Sequence, residues 1–123
     1  MLRLFKKKEV VPVHAVYEDY LSILNQINQY LLQSNNVAQG KFVATLMDLL
    51  RNKDVVQFVK LINGVDMWGG AGAVWEAYIE NEEKQRKFEK EMLLLIELMK
   101  RTNIMGSGAK SIEKIFKKNI KSS

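Results

Sequence analysis

The feature that most constrains the fold is the spacing of the apolar residues, which recur every three or four positions along a chain with a single proline. This spacing places apolar side chains on one face of an α-helix, and Pro12 precedes the pattern instead of interrupting it. The first series starts at Val16 and predicts a helix over residues 15–33. Ser34-Asn35-Asn36 should end it, because these side chains compete for backbone hydrogen bonds.

Two shorter helices are predicted next. One starts just after Gly40 and fades at Arg51. The other is capped by Asp54 and stops at Asn63-Gly64, because glycine readily adopts the left-handed conformation at a helix end. No strand pattern competes with these predictions.

The fourth helix is predicted to be the longest, beginning near Ala71 and kinking or breaking at Asn81. Its apolar positions are Val74, Trp75, Tyr78, Ile79, Phe88, Met92, Leu95 and Met99. Met105-Gly106-Ser107-Gly108 separates it from a last short helix over residues 109–120. In that helix Ile112, Ile115, Phe116 and Ile120 share one side at 100° per residue.

These elements predict an all-α fold: an antiparallel bundle of four main helices plus a short basic C-terminal helix. The chain has 123 residues, a usual length for one domain with a single core. We expect a basic N-terminal tail over residues 1–14, a helical bundle over 15–105, and a basic amphipathic helix over 106–123 that docks on the bundle.

The chain contains no cysteine, which excludes disulfides, thiolate zinc sites and a cysteine nucleophile. This composition fits a reducing compartment, so a cytoplasmic location is expected. The basic N-terminus has no following apolar stretch and does not resemble a secretion signal. The longest strongly apolar run, Met92–Ile96, is far short of the roughly 20 residues that span a bilayer.

The net charge of +5 is unevenly distributed. Residues 1–13 carry +3 and residues 100–123 carry +6, which leaves −4 between them. The ends and the body of the chain are therefore expected to attract different partners.

The most unusual segment is residues 66–76, the glycine corner, in which three glycines lie between two tryptophans. Glycines cost backbone entropy, so some feature there should require close backbone approach. One interpretation is a recognition site for an anion, a carboxylate or a partner's loop, using exposed N–H groups at the start of the fourth helix. The other is a tight interhelical corner whose tryptophans fill the core. The residues predicted to bind a partner are Asp66, Trp68, Gly69, Gly70, Gly72, Trp75, Glu76, Glu80, Glu82 and Glu83.

The sequence shows no convincing catalytic or metal-binding pattern, and no cofactor is predicted. The glycines lack the spacing of phosphate and dinucleotide loops, and no strand precedes them. Asp66 and Glu76 could form an acid–base pair, but bonds to the turn and the helix dipole account for them equally well. His14, the only histidine, has no partner pattern nearby.

The C-terminal helix places a lysine face opposite its apolar face. Such a helix can dock on the core, lie on an anionic membrane surface or contact nucleic acid phosphates. Its basic residues are Lys110, Lys114, Lys117, Lys118 and Lys121.

The run Trp68-Gly69-Gly70-Ala71-Gly72-Ala73-Val74-Trp75-Glu76 resembles a corner found in small bacterial all-helical proteins of unassigned role, with an aromatic-Gly-Gly-x-Gly motif. Several of these proteins resemble immunity or accessory proteins of toxin systems. The resemblance implies a helical fold. Together with the acidic residues near the corner, it leads us to hypothesise a non-enzymatic protein-binding module, such as an immunity protein that neutralises a basic toxin. The alternative is binding to nucleic acid or an anionic membrane surface through the basic N- and C-terminal segments.

Overall fold

The regular structure of the chain is entirely helical in the computed structural model, which describes residues 9–122 and the side chains of residues 9–120. This confirms the predicted all-α class, since no strand occurs in that range. In chain order the elements are a 3₁₀ turn (Val13–Val16), α1 (Tyr17–Gln33), α2 (Val37–Arg51), α3 (Val55–Ile62), α4 (Val65–Trp68), a second 3₁₀ turn (Val74–Glu76), α5 (Glu82–Arg101) and α6 (Ser107–Ser122).

Helix α1 lies at the centre of the molecule, because it packs against both α2 and α5. Its inward face includes Tyr20, Leu24 and Ile27, all fully buried. The Tyr20 ring meets Phe58 of α3 edge-on, with ring centroids 5.1 Å apart. The Tyr20 hydroxyl forms a 2.6 Å hydrogen bond with the hydroxyl of Thr102, so the core also holds the C-terminal end of α5.

A side-chain hydrogen bond marks the start of α3, whereas α2 starts earlier than the sequence predicts. The Asp54 carboxylate accepts a 3.2 Å bond from the Gln57 amide, which confirms the predicted cap of α3. Helix α2 begins at Val37 and not after Gly40. Gly40 lies inside this helix and faces α1 closely. A Cβ there would lie 2.7 Å from Cδ2 of Leu32, so this position has little room for a larger residue.

The predicted start of the fourth helix at Ala71 is wrong. The long helix α5 begins at Glu82, and residues 69–81 are non-helical apart from the turn at Val74–Glu76. Gly72 has a φ of +89°, which a helix does not allow. Asn81 is a true break: its φ is 105°, and its side-chain oxygen caps α5 by accepting a 3.0 Å bond from the Lys84 amide.

Helix α6 docks on the rest of the molecule, in contact with α5 and α4. Ala109, Ile112 and Phe116 are buried, whereas Ile115 is 41% exposed. The turn before α6 is held by Asn63, whose Nδ2 donates to the carbonyl of Ile104 at 2.8 Å. Asn63 Nδ2 also donates to the Val59 carbonyl, and its Oδ1 accepts a 2.8 Å bond from the Gly106 amide.

The N-terminal segment joins the core earlier than the predicted tail boundary at residue 14. The Val11 amide donates a 3.0 Å bond to the Arg101 carbonyl, and Val13 is buried. Residues 1–8 lie outside the described part of the chain. Among the described helices, none combines the length and the apolar character that crossing a bilayer requires.

Candidate functional site

Both tryptophans of the glycine corner hold the corner together. The Trp68 side chain is only 6% exposed, and its indole nitrogen donates to the Ile62 carbonyl at 2.6 Å. The half-buried Trp75 donates to the Gly69 carbonyl at 2.7 Å and meets the Phe116 ring edge-on at 6.3 Å. The Trp68 side chain therefore does not belong to the exposed surface on which the sequence placed it.

The glycines have different roles. At Gly69 a Cβ would lie 2.6 Å from the Val65 carbonyl oxygen, so the close backbone approach expected from the sequence is real there. Gly72 needs glycine for its positive φ, and Gly70 is exposed with open space around its Cα. Because no long helix starts at Ala71, the corner does not present the row of helix-start N–H groups that the anion-site interpretation required.

Asp66 takes no part in the hydrogen bonds that hold the glycine corner. It is exposed on α4, and neither a hydrogen bond nor an ion pair involves its side chain within residues 9–122. The expected bonds from the turn to this carboxylate are therefore not formed.

The segment after the corner, residues 77–80, is non-helical, and its residues alternate between buried and exposed. Ala77 and Ile79 point into the core and are 7% and 2% exposed. Tyr78 and Glu80 point outward, and Tyr78 is 74% exposed. This alternation is the period of an extended chain, so one face anchors the segment while the other displays an aromatic ring and a carboxylate.

Side chains from neighbouring elements fix both edges of this segment. On one edge, Asn36 Nδ2 donates to the Tyr78 carbonyl at 2.8 Å, and the Ser34 hydroxyl oxygen accepts from the Glu80 amide at 2.9 Å. On the other edge, Gln85 Oε1 accepts from the Ile79 amide at 3.1 Å. The backbone that carries Tyr78 is thus held from the α1–α2 turn and from α5 together.

An open groove of about 670 Å³ runs along this segment. It is lined by Glu76, Ala77, Tyr78, Ile79, Asn81, Glu82 and Gln85. The Gln85 amide is already committed at both ends, because its Nε2 donates to Glu89 at 3.0 Å. The charged groups left to face the groove are the carboxylates of Glu76 and Glu82.

The groove lies in the most acidic stretch of the chain. Residues 61–83 contain five acidic residues and no lysine, arginine or histidine. Glu83 pairs with Lys87 at 3.2 Å. Glu76, Glu80 and Glu82 form no ion pair within the described residues. Of the predicted site residues, the structure places Glu76 and Glu82 along the groove, and Glu80 and Glu83 are exposed next to them in the chain.

Tyr78 is the residue that the sequence analysis missed as a surface group, because a helical period assigned it to an apolar stripe. The signal that could have identified it is the short apolar-polar alternation before the Asn81 cap. A strand-like period of four residues is easily overruled by a longer helical pattern on both sides.

The basic patch on α6 is also exposed. Lys110, Lys114, Lys117 and Lys118 all face solvent, and Lys121 lies beyond the described side chains. The one acid of this helix, Glu113, is buried beside Lys100 of α5, and Lys117 lies 3.3 Å away. Burial alone would raise the pKa of the Glu113 carboxyl, but the hydrogen bonds and charges of Lys100 and Lys117 outweigh it and hold the pKa below its ordinary value.

Among the described residues, no three acidic or histidine side chains cluster closely enough to hold a metal ion. His14 is exposed on the first 3₁₀ turn, remote in the chain from the acidic groove.

The site therefore consists of an exposed aromatic side chain and the carboxylates of Glu76, Glu80 and Glu82, which have no ion-pair partner among the described residues, beside a backbone that is hydrogen-bonded on both edges. No protein-family model, curated protein or solved structure matches the chain.

Proposed function

We propose that this chain is a non-enzymatic protein-binding module whose contact surface is the acidic surface, formed by Glu76, Tyr78, Glu80, Glu82 and Glu83. The observation that carries the proposal is the outward display of Tyr78 on a backbone that is hydrogen-bonded along both edges. A tyrosine side chain has only two rotatable torsions and loses little conformational entropy on binding, and tyrosine is enriched among the residues that dominate interface energies.

The charge of the surface indicates a basic partner. The carboxylates of Glu76, Glu80 and Glu82, which have no ion-pair partner among the described residues, gain favourable interactions with a positively charged protein and speed its association. We propose a bacterial immunity protein acting in the cytoplasm, which neutralises a basic toxin domain such as a nuclease. The fold proposed to carry the surface is an antiparallel bundle of four main helices with α6 added. The acidic surface and the resemblance of the glycine corner support this proposal.

The test is affinity capture from the native cell at about 0.15 M salt, where exposed charges are already well screened. The tagged chain is compared with Tyr78→Ser, with the double variant Glu82→Lys/Glu83→Lys, and with Val56→Ser as control. Val56 is 81% exposed on α3, so the control also removes an exposed apolar group. We expect one stoichiometric protein that is retained by the control and lost with both surface variants.

Equal recovery with all four proteins would contradict the proposed surface. Because the altered side chains are exposed, we expect each variant to keep its helical circular dichroism signal. A variant that keeps this signal but no longer captures the partner has lost a binding contact and not its fold. If a captured protein is toxic when expressed alone, co-expression of this chain should restore growth, and co-expression of Tyr78→Ser should not.

A second candidate is polyanion binding through α6, which the exposed lysine face favours. Because the apolar face of α6 packs on the core, nucleic acid phosphates fit the docked helix better than insertion into an anionic membrane surface does. This function predicts binding that weakens steeply with salt. Replacing Lys114 and Lys118 by glutamine should abolish it, whereas Tyr78→Ser should have no effect.

A further inference from the structure

We propose that the groove beside Tyr78 receives an arginine side chain of the partner protein. This inference rests on the proposed protein-binding function and specifies the chemistry of the group that is bound. It follows from three properties of the groove: an exposed aromatic ring, two carboxylates without internal partners, and open space beside them.

The aromatic contribution comes from Tyr78, which lines the groove and is 74% exposed. A guanidinium group stacks on aromatic rings through its flat face, which combines a cation–π attraction with dispersion. The Tyr78 backbone carbonyl is bonded to Asn36, so the backbone that carries the ring is already held, and only the two side-chain torsions of the tyrosine have to be ordered when the cation arrives.

The carboxylates lie on both sides of the tyrosine in the sequence. Glu76 ends the second 3₁₀ turn, and Glu82 is the first residue of α5. Both line the groove, and neither has an ion-pair partner among the described side chains. A guanidinium can stack on a ring and still donate along its edges to carboxylates, with two parallel bonds to one group.

The floor of the groove includes Ala77 and Ile79, both apolar and almost entirely buried. Because these two side chains are almost fully covered, the exposed Tyr78 ring supplies the apolar surface for the methylene stem of a long basic side chain, whose charged end stays near the carboxylates. A groove of about 670 Å³ has room for one such side chain with its neighbouring backbone.

Arginine is favoured over lysine by this combination. A lysine ammonium is a compact, strongly hydrated charge, which gains less from a stacked ring than a planar guanidinium does. The two cations should therefore bind with different strength in this groove, although their charges are equal.

The experiment uses the full chain labelled with ¹⁵N and two blocked peptides, tri-arginine and tri-lysine, at about 0.15 M salt, where long-range attraction is screened. Amide shifts are followed during titration. We expect tri-arginine to shift the amides of Tyr78, Ile79 and Glu82, and to bind about two- to fivefold more tightly than tri-lysine.

Two variants and one control define the site. Tyr78→Leu should reduce tri-arginine binding to the tri-lysine level, and Glu82→Gln should weaken binding of both peptides. Glu97→Gln, an exposed acid on the same helix α5, should leave both unchanged. Equal binding of the two peptides, or shifts confined to other acidic positions, would overturn the inference.

Failure of the inference and failure of the proposed function are distinguishable. If the peptides behave alike but Tyr78→Ser still abolishes partner capture, the acidic surface binds a protein without selecting arginine, and only the inference is wrong. If tri-arginine binds as expected but Tyr78→Ser captures the cell protein as well as the natural chain does, the groove still prefers arginine and the proposed function is wrong.

Discussion

At the scale of single residues, Trp68 shows how an aromatic residue that marks an unusual motif can be structural. It lies on the buried side of α4 and donates its indole N–H to Ile62. We expect Trp68→Ala to lower the free energy of unfolding by about 3–5 kcal/mol, through a cavity and an unpaired carbonyl. Urea denaturation measures this. Val65→Ala, at a 79% exposed position on the same helix, should change stability by no more than about 0.5 kcal/mol.

Glu113 makes a prediction about acid stability. Its pKa lies below the ordinary value in the folded chain, so its ionised form contributes stability above the pKa of the unfolded chain. That contribution is lost as the pH falls through the folded pKa. Relative to Glu113→Gln, the natural chain should be about 1–2 kcal/mol more stable at pH 7.

The measurement for Glu113 is urea denaturation of both proteins from neutral pH down to about pH 3, below the ordinary glutamate pKa. The stability difference should shrink as the solution is acidified. The same comparison with Glu97→Gln should show little difference at any pH, because that side chain is exposed. A Glu113 difference that stays constant down to the lowest pH would contradict the assigned ion pairs.

At the scale of elements, the segment 77–80 is held by side chains instead of by a sheet. Removing its supports with Ser34→Ala/Asn36→Ala should loosen it while the helices remain intact. We expect hydrogen exchange at the Glu80 amide to become about five- to tenfold faster, the equivalent of one lost hydrogen bond. Gln33→Ala, an exposed neighbour, is the control. Unchanged exchange at Glu80 would mean that the core contact of Ile79 and its hydrogen bond to Gln85 fix the segment without Ser34 and Asn36.

The same elements show what sequence patterns can predict. The first and third helices and the C-terminal helix follow from long apolar stripes and from the Asp54 cap, which are local signals. The start of the fourth helix does not follow from such local signals. Its apolar positions fit a helical period, but Val74, Ala77 and Ile79 reach the core from a non-helical chain.

The candidate site divides in the same way. The run of acidic residues without basic ones is visible in the sequence, and four of its members surround one surface. The exposure of the Tyr78 side chain cannot be predicted from the sequence, because it depends on hydrogen bonds between distant residues. Asn36 bonds to Tyr78, 42 residues away, and Ser34 bonds to Glu80, 46 residues away. Contacts at that separation are set by packing of whole helices, not by local preference.

At the scale of the whole molecule, a single apolar core joins all the described helices, from Val13 at one end to Phe116 at the other. We therefore expect one cooperative unfolding transition. The helical signal of circular dichroism and the fluorescence of Trp68 and Trp75 should give the same urea midpoint. An earlier fluorescence transition would show that the glycine corner and α6 unfold as a separate unit.

Asn63 has one further consequence, for the chemical ageing of the protein. An asparagine followed by glycine is prone to deamidation: the glycine nitrogen attacks the side-chain amide carbon and expels ammonia, and water then opens the resulting cyclic imide to aspartate or isoaspartate. Here the Gly64 nitrogen donates to the Leu61 carbonyl at 3.0 Å, and the Asn63 amide is held by three hydrogen bonds. The folded chain thus keeps nucleophile and target apart, while each unfolding event exposes them. The accumulation of aspartate at position 63 would then record how much of its lifetime the molecule has spent unfolded.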